Sequence, residues 1–524
     1  MHFVLSNHQK NKRKLEKIKY NVFQPLLLAI VLATGMLIGY RLNEENEMTL
    51  IDKVDGQAPG QTGRVEEILR FIENKYLYNT NTNKFIDKAL GSIMEELDPY
   101  SIYVPPSKVE KIQSSLNANF TGMGITAYFY HDTLLVFHVL EDSPAAKAGI
   151  KPFDKILQVG NTIITGKKWN HNALAELLRK YKDKNVDIIV QDKDGNKRAL
   201  TVGVKEIDKN TVVSSYRPDS NTVYMRIDRF SNHTYREFMK KLESYARDEK
   251  IHNLIIDLRD NPGGYLQEVT KILDQLFDKS KLDFVTTEYH DGRKDEIKSS
   301  GRNFYQIDNI IILINEHSAS GSEVLAGVVQ DLDRAVVIGK PSFGKGLVQE
   351  QYKLKNGGAL RLTIANYYLP TGRSIQKQLD IDSSFVDVAS SHYEKHDTFY
   401  SLFKHRPLLS GRGIYPDIIV NDTAWNQSWN YIAHYDSLLT DALIQYIFKH
   451  KELFDIDANT FVDDYKVDFK DDVFASLPLD WDNDYIATLV KAKLGYILYG
   501  EDVENMILEK IDPYILKAKE NLKE

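Results

Sequence analysis

Asn253-Leu254-Ile255-Ile256-Asp257-Leu258-Arg259-Asp260-Asn261-Pro262-Gly263-Gly264 decides the fold. Its first half is an unbroken apolar run, the pattern of a strand buried on both faces. Asn-Pro-Gly-Gly then breaks the strand, since proline lacks a donor and glycine tolerates turns. Leu266, Val269, Ile272, Leu273 and Leu276 follow at helical period. The same alternation repeats downstream: a strand at Asn309–Ile314, a helix from Ser322 to about Asp331, and a strand at Ala335–Gly339. Strands alternating with helices predict a βαβ core built on a parallel sheet.

Working toward the N-terminus, residues from about 118 become strand-like. Phe120-Thr121-Gly122-Met123-Gly124-Ile125-Thr126 is a glycine turn entering a β segment. Leu134–Leu140 is a second strand, Ser143-Pro144-Ala145-Ala146 opens a short helix, and Asp154–Asn161 follows. A helix at 173–181 and strands near 186–191 and 199–205 complete the unit. This order resembles a PDZ domain over 118–205, carried by the Gly-Met-Gly-Ile loop, the Ser-Pro-Ala-Ala helix start and Gly149-Ile150-Lys151-Pro152-Phe153-Asp154-Lys155-Ile156-Leu157-Gln158-Val159-Gly160-Asn161. The resemblance implies that backbone N–H groups of Gly122, Met123, Gly124 and Ile125 hold a peptide's terminal carboxylate while the strand edge pairs with its backbone. A plain turn is the ordinary alternative for an isolated Gly-x-Gly.

The flanks are of other kinds. Residues 1–20 are basic, with Lys10, Lys12, Arg13, Lys14, Lys17 and Lys19 against Glu16. No charge occurs from Tyr20 to Tyr40, a length that spans about 31 Å as a helix, roughly one hydrocarbon core. The far side is acidic, so residues 21–40 predict a transmembrane anchor or a cleaved signal, with the bulk of the chain outside the cytoplasm. Residues 41–60 read as a linker. The 61–117 region is helical, with Val65, Ile68, Leu69, Ile72 and Tyr76 in period and a second helix from Thr82 to Glu96. Residues 421–524 predict a helical extension, with helices around 438–447 and 485–499.

Composition bounds the rest. At 524 residues the chain is sized for roughly three or four domains. With 42% apolar and 27% charged residues it is neither a disordered tail, a fibre nor a polytopic membrane protein. A net charge of −7 gives no basic field for nucleic acid. The absence of cysteine removes disulfides, thiolate nucleophiles and cysteine-bound metals.

Chemistry concentrates at Glu316-His317-Ser318-Ala319-Ser320-Gly321-Ser322-Glu323, between a buried strand and a helix. A serine on that turn stands beside unpaired N–H groups and a positive dipole end, which suit a developing oxyanion. The rival reading is an ordinary N-cap, for which serine followed by glutamate suffices. A base for the serine is offered by Gly339-Lys340-Pro341-Ser342-Phe343-Gly344-Lys345-Gly346-Leu347-Val348-Gln349. Lys345 is either a solvated turn residue or a desolvated amine with a lowered pKa, able to accept a proton. Gln349 could orient it. His317 lies only three residues before Ser320 on a tight turn, and Asp331 or Asp333 follow a whole helix, a poor geometry for a triad. No His-Glu-x-x-His pattern and no phosphate loop occurs, so no metal or cofactor is expected.

These segments together resemble the C-terminal processing (tail-specific) peptidases, serine/lysine proteases that carry a PDZ domain. The likeness covers about 61–376 and a short piece near 411–420. Its parts are Leu97-Asp98-Pro99-Tyr100-Ser101, the PDZ stretch, Asp257–Gly264, Ser318–Glu323, Gly339–Gln349 and Tyr367–Gln376. The resemblance implies Ser320 as nucleophile, the middle serine of three and the one at the family's spacing from the lysine. It implies Lys345 as general base, Gln349 as the residue orienting that lysine, and backbone N–H groups of Gly321 and Gly264 as oxyanion donors, with Gly263 still open. Gly321 departs from the family's usual alanine, and residues 377–410 are an insertion between Gln376 and Gly411 within a protease core spanning 206–420.

The expected architecture is therefore mixed α+β: a membrane helix, a helical segment, a PDZ domain, a βαβ-type protease core and a helical extension. The expected function is an envelope serine endopeptidase, anchored or exported, that takes protein substrates by free C-termini. A membrane-tethered PDZ scaffold with an inactive protease fold is the alternative. Self-association is left open.

Overall fold

The computed structural model describes residues 63–166, 169–377 and 398–523. The basic segment, the anchor-or-signal stretch 21–40, the linker 41–60 and residues 378–397 of the insertion lie outside the described residues. Among the described residues no helix is long and apolar enough to cross a membrane. The chain divides into two units, 1–88 and 89–524. The first contains α1 (Gly63–Lys75) and the start of α2 (Thr82–Glu95).

In the second unit, β1 (Ile102–Val104) and α3 (Pro106–Leu116) lead into an antiparallel sheet. Its strands are β2 (Asn119–Gly122), β3 (Ile125–Tyr130), β4 (Thr133–Val139), β5 (Lys155–Val159), β6 (Thr162–Ile163), β7 (Lys184–Gln191) and β8 (Lys197–Asp208). They lie in the order β2-β8-β7-β5-β4-β3, with β6 on β5, so β3 is an edge strand. Helix α4 (Pro144–Ala148) starts at Ser143, whose hydroxyl caps Ala146 N. Helix α5 (His171–Arg179) starts at Asn170, which caps Ala173 N. Period-two alternation sorts the strands: Leu134 and Val136 face this unit's own core, while Leu135 and Phe137 face the C-terminal helices.

The central sheet is built from β9 (Val212–Asp219), β10 (Thr222–Ile227), β11 (Asn253–Asp257), β14 (Asn309–Ile314), β15 (Val336–Gly339) and β20 (Ile418–Ile419). It runs β20-β15-β14-β11-β10-β9, parallel except for the β9–β10 pair. Its inner strands β11, β14 and β15 carry near-continuous apolar runs because both faces are covered. Leu254, Ile256, Ile310, Ile312 and Ile314 share a core with α6 (Thr234–Asp248), α7 (Leu266–Leu276) and α8 (Gly321–Asp331). Ile255, Ile311 and Leu313 face the other way, onto Tyr514 and Ile515 of the extension.

A second sheet, antiparallel, contains β12 (Ser280–Tyr289), β13 (Lys294–Ser300), β16 (Leu347–Lys353) and β17 (Ala359–Tyr368) together with β1. The sequence reading did not anticipate it. The pairing of Ile102 with Arg361 matters most, because it carries the turn just before β1 to the site described below. In the described part of the insertion, β18 (Thr398–Tyr400) and β19 (Pro407–Leu409) form a hairpin. The extension comprises α9 (Thr423–His434), α10 (Asp436–Lys449), α11 (Ala458–Asp463), α12 (Asp484–Tyr499), α13 (Glu501–Leu508) and α14 (Pro513–Asn521). Of these, α10 and α12 cover the two helices read from the sequence.

Candidate active site

The site forms where β11 and β14 end. Ser318 and Ser320 lie on one turn and Ser322 at the start of α8, and their surroundings separate them. Ser318 Oγ donates to Leu258 O at 2.8 Å and Ser322 Oγ donates to Asn261 O at 3.0 Å, both fully buried. Those hydroxyls fasten the turn to the end of β11. Ser320 is partly exposed and has φ 53° and ψ −112°, a strained conformation for a residue with a Cβ. It stands directly before α8, where the first helical N–H groups have no carbonyl of their own.

The Asn-Pro-Gly-Gly turn lies against this serine. Asn261 anchors it, donating from Nδ2 to Ile227 O at 2.9 Å and accepting from Gly263 N at 2.8 Å. A Cβ on Gly263 would fall 2.8 Å from Ser320 Cβ and 2.7 Å from Gly321 N, so only glycine allows this approach. Gly264, at φ 149°, would place a Cβ 2.0 Å from Phe230 O. In the parallel bridge between Phe230 and Gly264, Phe230 N donates to Gly263 O and Tyr265 N donates to Phe230 O. The N–H of Gly264 therefore points away from Phe230. With Gly263 N already spent on Asn261, Gly264 and Gly321 are the donors left beside Ser320. At Gly321 itself an alanine methyl would meet Val269 Cγ2 at 3.0 Å, a tight fit.

Lys345 comes from the turn between β15 and β16. Its backbone N donates to Glu323 Oε2 at 2.8 Å, the same oxygen that accepts from Ser320 N at 2.8 Å. Thus the serine and lysine backbones converge on one atom. The lysine Nζ lies 4.8 Å from the centroid of the Tyr100 ring. Burial pulls the Lys345 pKa below the ordinary lysine value, and the nearby Arg361 guanidinium pulls it further; Asp98 and Glu323 pull the other way. Desolvation wins.

Tyr100 was quoted in the sequence only as part of a motif. Its turn is held by Asp98, which accepts from Tyr100 N at 2.7 Å, Ser101 N at 2.8 Å and Ser101 Oγ at 2.6 Å. Thr363 joins the turn to β17 through Thr363 N to Ser101 Oγ, at 3.1 Å. Gln349 pairs with Thr363 across β16 and β17, and its Nε2 donates to Thr363 Oγ1 at 3.4 Å and Leu347 O at 3.3 Å. Its hydrogen bonds thus go to the scaffold around the lysine, a different partner from the amine the sequence suggested. Glu323 was likewise read only as a capping residue. Nothing in its spacing signalled a link to a turn some 20 residues downstream.

His317 is exposed, and its N accepts no role in the turn beyond donating to Asn315 Oδ1 at 3.2 Å. Its ring lines a polar cavity of about 540 Å³ with Arg259, Asp422 and Trp425. Asp331 binds Arg373 at 2.7 Å and Asp333 binds Arg406 at 2.7 Å, both at the far end of α8. Neither acid is available to a histidine triad. Among the described residues no group of three His, Asp or Glu is arranged to hold a metal.

Gly122–Ile125 lies at the junction of β2 and the edge strand β3. Met123 O and Gly124 O accept from Ala145 N and Leu140 N at 2.9 Å each, which fixes the loop against the start of α4.

A strained serine beside glycine donors, on a turn that shares a carboxylate anchor with a partly buried lysine, suits a serine-type peptidase. The model of peptidase family S41 matches residues 221–385, from β10 to just beyond the second sheet. The carboxy-terminal processing protease CtpB of Bacillus subtilis is 30% identical over 332 residues, covering 62% of this chain and 68% of that protein. The carboxy-terminal-processing protease of Bartonella bacilliformis is 32% identical over 324 residues, covering 60% and 73%. Among solved structures, a photosystem II D1 C-terminal processing protease aligns with 68% of this chain and 87% of its own at 21% identity, with a TM-score of 0.36, too loose a superposition to inform any residue. The chain belongs to peptidase family S41, the carboxy-terminal processing serine peptidases.

Proposed function

We propose that the protein is an envelope endopeptidase that takes protein substrates by their C-terminal tails and cleaves them with a Ser320/Lys345 dyad. Neutral Lys345 accepts the Ser320 hydroxyl proton as Oγ attacks the scissile carbonyl carbon. The oxyanion is received by the N–H groups of Gly264 and Gly321. The lysine, now an ammonium, gives its proton to the leaving amine, and the C–N bond breaks to leave an acyl-serine. Water, deprotonated by the same amine, then attacks the ester and restores Ser320. No cofactor enters these steps. Gln349 serves the dyad through Thr363 and the Asp98 turn, which carries the Tyr100 ring beneath the amine.

The observation that carries this reading is the convergence of the Ser320 and Lys345 backbones on one carboxylate oxygen. Capture of the substrate falls to the PDZ-like unit over 118–205. The open edge of β3 supports strand addition by a peptide whose carboxylate meets the Gly122–Ile125 loop. Placement in the envelope rests on the basic and then uncharged N-terminus.

The test is cleavage of an unfolded model protein by the wild type and by Ser320→Ala. The variant is expected to be inactive. Equal, negligible rates for both would leave a scaffold instead. In cells, Ser320→Ala should leave envelope proteins with longer C-termini, read by terminal mass spectrometry.

A further inference from the structure

We propose that Glu323 is a positioning residue that holds the nucleophile's turn and the lysine's turn in register, and that only its carboxylate form can do so. This rests on the dyad reading above. Glu323 is fully buried. Oε2 accepts from Ser320 N and Lys345 N at 2.8 Å each. Oε1 accepts from Gly344 N at 2.6 Å and from Ser342 Oγ at 2.5 Å. Ser342 Oγ itself accepts from Ile414 N at 2.6 Å, so its proton is directed at Glu323. A helix cap needs only the first of these bonds. The other three reach a segment 19 to 22 residues downstream, the one that carries the base.

All four partners are donors. A carboxylate satisfies them with two lone-pair sites on each oxygen, whereas a carboxylic acid sets its own O–H against one of them. The site is also closed to water. Gly413 has φ 77°, and a Cβ there would lie 2.9 Å from Glu323 Oε1 and 2.6 Å from Ser342 Oγ. The segment that resumes after the insertion is therefore the lid over this carboxylate. The titratable groups that feel the Glu323 charge are Lys345 on its turn and Tyr100 on the Asp98 turn. Burial raises the Glu323 pKa, and its hydrogen bonds oppose that, the Ser342 bond foremost. Protonation releases one turn, and the strained φ of Ser320 loses one of the constraints that maintain it.

Because Glu323 touches neither substrate nor the reacting atoms, the effect falls on kcat. Steady-state cleavage of a fluorogenic peptide is measured against pH for the wild type, Glu323→Gln, Ser342→Ala and Ser320→Ala, within the range where circular dichroism reports folded protein. Glu323→Gln is expected to lower kcat about tenfold or more while KM stays within about twofold. On the acid side, wild-type log kcat should steepen from a one-proton to a two-proton slope as Glu323 joins Lys345 in taking a proton. Ser342→Ala should move that steepening to higher pH, and Glu323→Gln should abolish it. Wild-type kcat in Glu323→Gln, or a Ser342→Ala profile identical to the wild type, overturns the proposal. If Glu323→Gln does not fold, the Ser342→Ala profile decides. An active Ser320→Ala would sink the dyad reading itself, whereas an inactive Ser320→Ala with an unmoved Ser342→Ala profile sinks only the role of Glu323.

Discussion

At the scale of single residues, the proposed function depends on the fate of one amine. The Tyr100 ring, Asp98 and Glu323 all favour an ammonium at Lys345, and removal from water, joined by the Arg361 guanidinium, opposes them. The pKa is lowered, which favours the neutral amine, so activity should fall as pH drops through it. A rate flat from acid to alkaline conditions would count against a neutral lysine. The same shift has a stability consequence. The folded chain gives up the Lys345 proton at a lower pH than the unfolded chain does, so this group's contribution to stability improves as pH rises between the two values. Lys345→Met, which keeps the stem and discards the charge, should abolish cleavage yet raise the melting temperature at neutral pH by about 1 °C or more. A lower melting temperature would mean that the amine's contacts outweigh its desolvation.

At the scale of elements, the site consists of three turns that meet: 261–264, 315–320 and 340–346. Each follows a strand of the parallel sheet, so the sheet's register sets their spacing. The glycines of the first turn are steric necessities. Gly264→Ala would drive a methyl into Phe230 O and displace the proposed oxyanion donor. We expect a loss of about 3 kcal/mol in urea unfolding and a kcat reduced roughly a hundredfold or more. Strand–turn–helix alternation was legible because apolar runs and glycine–proline breaks are local signals. The antiparallel sheet that delivers Tyr100 was not, because β1 has only three residues and owes its existence to pairing with β17 some 260 positions away. Likewise, Gln349 stood at a plausible distance along the chain from Lys345, but strand pairing turns it toward Thr363.

At the scale of the whole second unit, the extension acts as a common support. Arg259, just past β11, forms ion pairs with Asp257 at 2.6 Å and with Asp512 at 2.8 Å, and lies over the Tyr514 ring at 4.6 Å. Asp512 also caps α14, whose Tyr514 and Ile515 cover the back of the sheet. The helices of the extension share another core with Leu135, Phe137 and Phe153 of the antiparallel unit over 118–205. Arg259→Met strands two buried carboxylates and should cost about 3 kcal/mol or more. Asp512→Asn keeps the cap and removes one charge, so it should cost less, about 1–2 kcal/mol. Urea unfolding of both variants checks the order; a costlier Asp512→Asn would show that the cap, not the ion pair, dominates.

The amino-acid sequence by itself determined the alternating strands and helices, the turns that end them and the serine and lysine placed on those turns, because propensity, period and steric breaks act over a few neighbouring residues. Only the tertiary structure decided which serine stays unspent, which glycine N–H stays free, how Glu323 joins two turns and how the extension covers the sheet. Those outcomes depend on hydrogen bonds and burial between residues far apart in the chain, and local sequence carries no record of such partners.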